Sequence, residues 1–500
     1  MNLHDLFAIP RQRTPDKLAV QFVNDAKTST EITYAELYAA VDRLAAGLQK
    51  WGLRKGDRVA FFLGNRPEFL VAYLAVIRLG AIMVPINLRY RRLELGHILS
   101  DCTPRLLITE QQQLGFLDDV GAEQQCLEAT LLAEEMAQWE ADPATLQLSL
   151  VEADDLALIM YTSGTTGRSK GAMITHNNVM TTMTGLLAAW AWEQTDRLLL
   201  CLPLFHVHGL VVGAHCALAA GATILLRTAF DATSTTAELV SGAASVFFAV
   251  PTIYVRLVEE LRKVTQPDFS HIRLFCSGSA PLAPETFTAF QELTGHTILE
   301  RYGMTETGMN LSNHYQGLRL AGSVGTPLPG VSMRIVNGKN EDVAPGEEGE
   351  LLVRGSNVFV GYWNAPEKTA ASFSHDALGR QWFHTGDLAR MEPTTGYVTL
   401  LGRRHELIIS GGFNIYPREI EELLTTYPGV SEAAVIGAPH SEWGEVPAAY
   451  LVCTTTIDKA ALIAYCKTQL AGFKVPRQIT FVDVLPRNAM GKLQKHLLKS

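Results

Sequence analysis

The chain lacks the cysteine pattern of a stapled or zinc-bound fold. Its seven cysteines, Cys102, Cys126, Cys201, Cys216, Cys276, Cys453 and Cys466, stand singly, with no Cys-x-x-Cys pair and no companion histidine spacing. That usage fits buried thiols in a reducing compartment. A basic excess is missing too: the formal net charge is −9, whereas a nucleic-acid binder carries a basic face. No uninterrupted apolar run approaches the ~20 residues of a membrane helix. Residues 1–17 have neither a long apolar core nor a small-residue cleavage pattern. A cytoplasmic protein with no membrane span is therefore expected. Repeats and low-complexity tracts are also absent.

What is present is the composition of a globular protein, 47% hydrophobic and 19% charged over 500 residues. That length exceeds one ordinary core and predicts at least two domains. A helix is expected after Thr33, where Thr33 and Glu36 form a capping-box pattern and Leu37, Val41, Leu44 and Leu48 recur at helical spacing. Strands are expected at Arg58–Leu63 and Ala81–Pro85, on either side of a helix led by Pro67. The alternation returns at Ala157–Thr162, Leu198–Leu202, Thr223–Leu226, Ser245–Val250, Leu274–Ser277 and Thr297–Tyr302. Apolar runs alternating with helices predict parallel sheets covered on both faces, with ligands at the carboxyl ends of the strands. From 324 to 401, glycine and proline punctuate short alternating runs, the pattern of a small antiparallel unit. Mixed α/β texture resumes after Gly402.

One loop carries chemistry. Tyr161-Thr-Ser-Gly-Thr-Thr-Gly-Arg-Ser-Lys-Gly171 follows an expected strand. Its glycines let backbone N–H groups turn inward, and its hydroxyls and Lys170 add donors, a nest suited to polyphosphate. The spacing is not that of a P-loop, because Arg168 and Ser169 separate Gly167 from Lys170. A flexible Gly/Ser/Thr hairpin is the plain alternative.

This loop is followed in order by Glu300-Arg-Tyr-Gly-Met-Thr-Glu306, Gly349-Glu-Leu, Gly361-Tyr-Trp363, Thr385-Gly-Asp387, Gly402-Arg403 and Pro486-Arg-Asn-Ala-Met-Gly-Lys492. The series resembles, nearly end to end, the adenylate-forming superfamily of acyl-CoA synthetases, peptide-synthetase adenylation domains and firefly luciferase. The resemblance implies an α/β fold: a large N-terminal domain (1–402) of two doubly wound sheets plus a small distorted β-barrel (324–401), then a small mobile α+β C-terminal domain (403–500). It implies ATP, Mg²⁺ and coenzyme A as cofactors or co-substrates, a small-molecule carboxylic acid as partner, and leaves a homodimer open.

Carried over residue by residue, the resemblance assigns Thr162, Ser163, Gly164, Thr165, Thr166, Gly167 and Lys170 to the phosphates. Ser279, Ala280, Pro281, Glu300, Arg301, Tyr302, Gly303 and Met304 would form the nucleotide wall, with Tyr302 against adenine. Thr305 would donate to the α-phosphate and Glu306 would hold the metal. Asp387 would accept the ribose hydroxyls and Arg403 would add a second contact, although an isolated Gly-Asp turn is as often an Asx-turn. Lys492 would be the catalytic lysine that bridges carboxylate and α-phosphate. Ser410, Gly411 and Gly412, with Lys474 and Arg477, would serve CoA. His405 and Glu406 depart from the Lys or Asp that the family places after the hinge arginine.

The acid is indicated by Arg301, standing where large-pocket synthetases keep a small or neutral residue. An isolated buried guanidinium is costly, and a dicarboxylate supplies the missing partner with the fork geometry arginine favours. An internal salt bridge is the competing account. This region, with Pro203-Leu-Phe-His-Val-His-Gly209, resembles malonyl-CoA synthetases, which implies Arg256, Ser279 and Arg301 on the distal carboxylate and His206 on the acyl side. Malonate or methylmalonate is the expected acid. The alternatives are a short- or medium-chain fatty acyl-CoA synthetase, an adenylation enzyme that loads a carrier protein, a kinase and an inactive nucleotide-binding scaffold.

Overall fold

The structure, a computed structural model, describes residues 2–118, 120–162, 169–410, 413–440, 443–470, 472–487 and 493–498. The chain divides into two compact units, Met1–Ser332 with Val353–Phe383, and Met333–Leu352 with His384–Ser500.

The first unit is built from two sheets. In one, the strands run in the order Gly361–Tyr362, Lys170–Thr175, Leu156–Thr162, Ile82–Pro85, Arg58–Phe62, Leu106–Thr109, Ala129–Leu132. All neighbours are parallel except at the edge formed by the first three. The other sheet has a parallel centre, Leu18–Val23, Thr223–Arg227, Arg197–Leu200, Val246–Ala249, Leu274–Ser277 and Leu299–Met304. Antiparallel strands Ser29–Thr33 on one side, and Gly308–Ser312 with Ser323–Pro327 on the other, extend it.

The central strands are buried at nearly every position because helices cover both faces. Helix Tyr34–Trp51 begins with the expected capping box, Thr33 Oγ1 accepting from Glu36 N–H and Glu36 accepting from Thr33 N–H. Such a cap contributes about 1 kcal/mol. This is not the first helix, however. Leu3–Arg13 precedes it, capped by Asn2 and Asp5 and containing Pro10, a residue that breaks the sequence signal for helix.

In the second unit, strands through 333–336, 348–352, 384–391 and 398–403 lie side by side. A further sheet orders Phe413–Ile415, Ile408–Ser410, Gly444–Cys453 and Val430–His440, with Gln478–Phe481 parallel to Gly444–Cys453. Its core gathers Ile408, Ile415, Ile420, Leu424, Val435 and Leu451. Asp387 does not sit in a turn, as the Thr-Gly-Asp pattern predicts, but inside the strand Gln381–Met391. Gly386, at φ +71°, bends that strand while the pairing of Asp387 with Arg403 continues. No described helix is long and apolar enough to cross a membrane.

Candidate active site

Strands Leu156–Thr162 and Lys170–Thr175 pair antiparallel with Thr162 opposite Lys170. The loop between them therefore leaves and returns at one point. Ser163, Gly164, Thr165, Thr166 and Gly167 themselves lie outside the described residues, as do Gly411, Gly412 and Lys492.

Glu306 is buried in the turn after Leu299–Met304. Its Oε1 accepts from the Tyr362 hydroxyl at 3.0 Å and from Thr162 Oγ1 at 3.4 Å. The Phe359 N–H donates to its carbonyl at 2.8 Å, which fixes the backbone. Lys170 Nζ lies 5.1 Å from the centroid of the Tyr362 ring, within cation–π range. Among the described residues no three histidine, cysteine or acidic side chains gather to cage a metal. A single hard carboxylate beside a lysine fits Mg²⁺, which takes one or two carboxylates and completes its shell with phosphate oxygens and water.

The neighbouring wall is tightly built. Glu300 Oε1 accepts from Gly322 N–H at 2.8 Å, and the Tyr302 hydroxyl donates to Met304 Sδ at 3.9 Å. A Cβ on Gly303 would lie 2.0 Å from the Gly308 carbonyl oxygen, so only glycine fits there. Thr305 lines a cleft with Thr182, Val207, Val211 and Asn357.

The second cluster surrounds Arg301. Its guanidinium is buried, and Nε and Nη2 have no hydrogen-bond partner among the described residues. Among the described residues no acid forms the internal salt bridge that would make this arginine structural. Burial pushes its pKa down, opposed only by the Cys276 thiol beside it. Gly278 makes room: a Cβ there would lie 2.5 Å from Arg301 Cζ. Ser279, held at φ +71°, meets His208 Nδ1 through Oγ at 3.1 Å. His208 is buried, and its Nε2 has no hydrogen-bond partner among the described residues. Burial, then the charges of Arg301 and His206, hold its pKa well below the ordinary value, so the imidazole is neutral. His206 Nδ1 accepts from His208 N–H at 3.3 Å.

Arg256 is not joined to this cluster by a hydrogen bond or ion pair. It is exposed on helix Pro251–Leu261, its guanidinium 4.9 Å from the centroid of Phe230. In the second unit, Arg403 Nε pairs with Asp387 at 2.9 Å and Nη1 donates to the Thr385 carbonyl at 3.0 Å. Ser410 is buried at the end of its strand. Lys474 is engaged by Glu419 at 2.7 Å, and Arg477 lies 5.5 Å from the Trp443 ring centroid.

Sequence reasoning passed over His208 and Tyr362. The first is spaced two residues from His206 in a motif already singled out. The second appeared only as part of Gly361-Tyr-Trp363, and nothing local reveals what its side chain touches.

The AMP-binding enzyme family model matches residues 7–363, and the AMP-binding enzyme C-terminal domain model matches 419–492. A feruloyl-CoA synthase of Amycolatopsis sp is 37% identical, covering 93% of this chain and 93% of its own. The mitochondrial malonate–CoA ligase ACSF3 of Bos taurus is also 37% identical, covering 93% and 85%. The crystal structure of ATP-bound MatB from Rhodopseudomonas palustris superposes with a TM-score of 0.90 at 39% identity, covering 99% and 98%. With both family models matched in order, the first over most of the chain, this protein belongs to the AMP-binding enzymes and, within them, to the AMP-forming acyl-CoA synthetases.

Proposed function

We propose that the protein joins malonate or methylmalonate to coenzyme A through an acyl-adenylate, releasing pyrophosphate and then AMP. One observation carries the choice of acid: the buried Arg301 guanidinium with two unpartnered nitrogens. A buried cation without an anion is costly, and a dicarboxylate supplies the anion while its other carboxylate reacts. The likeness to MatB and to a malonate–CoA ligase supports this reading; the equal likeness to a feruloyl-CoA synthase is why a test is needed.

Arg301 and Ser279 grip the distal carboxylate, with neutral His208 orienting the serine and His206 on the acyl side. Arg256, exposed and held by ring stacking, exchanges Phe230 for the ligand. The near carboxylate oxygen attacks the α-phosphorus of ATP, and the bond to the β-phosphate breaks. Lys170 and the Thr162–Gly167 loop hold the phosphates, Thr305 donates to the α-phosphate, and Lys492 offsets the charge that develops between the reactants. Magnesium bound at Glu306 would supply further charge neutralisation. Asp387 and Arg403 receive the ribose. The CoA thiolate then displaces AMP from the acyl carbon, with Ser410, Gly411, Gly412, Lys474 and Arg477 on the CoA side. The functional boundary falls after Gly402, and the cytoplasm is the compartment.

Malonate, methylmalonate, succinate, acetate and octanoate are offered with CoA, and pyrophosphate and thioester are measured. Preference for malonate or methylmalonate is expected. Preference for acetate or octanoate would overturn the reading, and acyl-AMP released without thioester would favour a carrier-protein acceptor.

A further inference from the structure

The Gly361-Tyr-Trp363 motif has no part in the chemistry above. It forms the short strand Gly361–Tyr362, which pairs antiparallel with Lys170–Thr175, placing Tyr362 opposite Ala172. Trp363 N–H donates to the Gly171 carbonyl at 2.8 Å and Val360 N–H to the Met173 carbonyl at 3.2 Å. Tyr362 N–H donates to Thr369 Oγ1 at 2.9 Å. Gly361 has φ +145°, and a Cβ there would lie 2.7 Å from Thr369 Cγ2, so the approach of the threonine requires glycine. Tyr362 is therefore anchored on both sides. It is buried, and it meets two opposite charges: its hydroxyl donates to Glu306 Oε1 at 3.0 Å, and its ring lies 5.1 Å from Lys170 Nζ.

Lys170 and Glu306 would attract each other strongly in so sheltered a place. A direct ion pair would engage both groups that a metal–triphosphate needs. Each meets the tyrosine instead of the other. The hydroxyl takes up one carboxylate oxygen and leaves Oε2 for a cation. The ring steadies the ammonium without using any of its three N–H donors.

We infer that Tyr362 is a positioning residue for the nucleotide half of the site, a spacer that orients Glu306 and holds Lys170 apart from it. The inference rests on the proposed assignment of Glu306 and Lys170 to metal and phosphate. The test compares the full-length protein with Tyr362→Phe, which keeps the ring, and Tyr362→Leu, which loses both contacts. ATP binding is measured by calorimetry with Mg²⁺ and with EDTA, in the absence of any acid, and melting temperatures without ligand are recorded. In Tyr362→Phe, metal-free ATP affinity should be unchanged, while the Mg²⁺-dependent gain shrinks about tenfold, the usual cost of losing a partner of a metal ligand. Tyr362→Leu should lose, in addition, about fivefold in metal-free ATP affinity.

An undiminished Mg²⁺ gain in Tyr362→Phe overturns the spacer, as does metal-free binding by Tyr362→Leu equal to that of Tyr362→Phe. Equal weakening with and without Mg²⁺ in Tyr362→Phe, accompanied by a lowered melting temperature, also counts against it, because that marks general loosening. Wild-type protein that binds no ATP would remove the nucleotide assignment and the spacer with it; normal wild-type binding with unaffected variants removes the spacer alone.

Discussion

Two arginines of the same sheet present opposite cases. Arg273, just before strand Leu274–Ser277, forks onto Asp196 with Nε at 2.7 Å and Nη2 at 2.6 Å, and adds the Trp190 carbonyl at 2.8 Å. Its pKa is raised: burial works against the charge, but the hydrogen bonds to Asp196 and Tyr315 outweigh it. Arg301, on the adjacent strand Leu299–Met304, meets no acid among the described residues, and burial lowers its pKa. The first arginine is complete within the fold and holds strands together. The second has no acid among the described residues, and that difference is what the proposed binding role of Arg301 rests on.

Exchanging each arginine tests the contrast. Arg301→Ala should lower kcat/KM for malonate by on the order of 10²–10³-fold, the range for removing one partner of a buried charged pair. Acetate or octanoate should suffer far less; equal losses would erase the distinction. Arg273→Leu leaves Asp196 buried without its partner and should cost about 3–5 kcal/mol in unfolding free energy. The KM for malonate should stay at the wild-type value. A KM change in Arg273→Leu with unchanged stability would reverse the two roles.

The histidines extend the contrast to pH. Burial pushes His4 and His176 down to about 4 and His215 down to about 3, and His208 also lies well below its ordinary value. Below about pH 6.5 the unfolded chain takes up protons that the folded chain refuses. Stability is therefore full above pH 6.5 and falls as pH drops toward 4, by up to about 1.4 kcal/mol per pH unit for each histidine. Melting temperatures from pH 7.5 to 5 should decline accordingly, and His215→Phe should flatten the slope. A melting temperature constant over that range would mean these imidazoles accept protons in place. Smallest is Arg256→Ala: under the proposed reading, in which the ligand recruits this exposed arm, about a tenfold rise in malonate KM is expected. A loss as large as that of Arg301→Ala would make the two arginines one rigid clamp.

The capping box at Thr33 and the strands Leu156–Thr162 and Leu274–Ser277 were legible because each rests on a local pattern: a hydroxyl and an acid three residues apart, or a short apolar run. Arg301 was legible as an anomaly, a charge where the expected strand should be buried. Leu3–Arg13 was not, because Pro10 interrupts its helical signal and its packing partners are distant; Leu3 N–H donates to His176 Nδ1 at 3.3 Å. Asp387 was read as a turn residue because Gly386 dominates its neighbourhood, although strand pairing absorbs the glycine's positive φ.

By itself, the order of residues determined which elements form and which chemical groups are available, since helix caps, apolar alternation and short polar motifs act over a few positions. Only the tertiary structure decided which charges find partners. Tyr362 touches both Lys170 and Glu306, and Arg301 has no acid among the described residues, because strands far apart in the chain pack side by side. Burial then sets the energetic weight of each contact made or omitted.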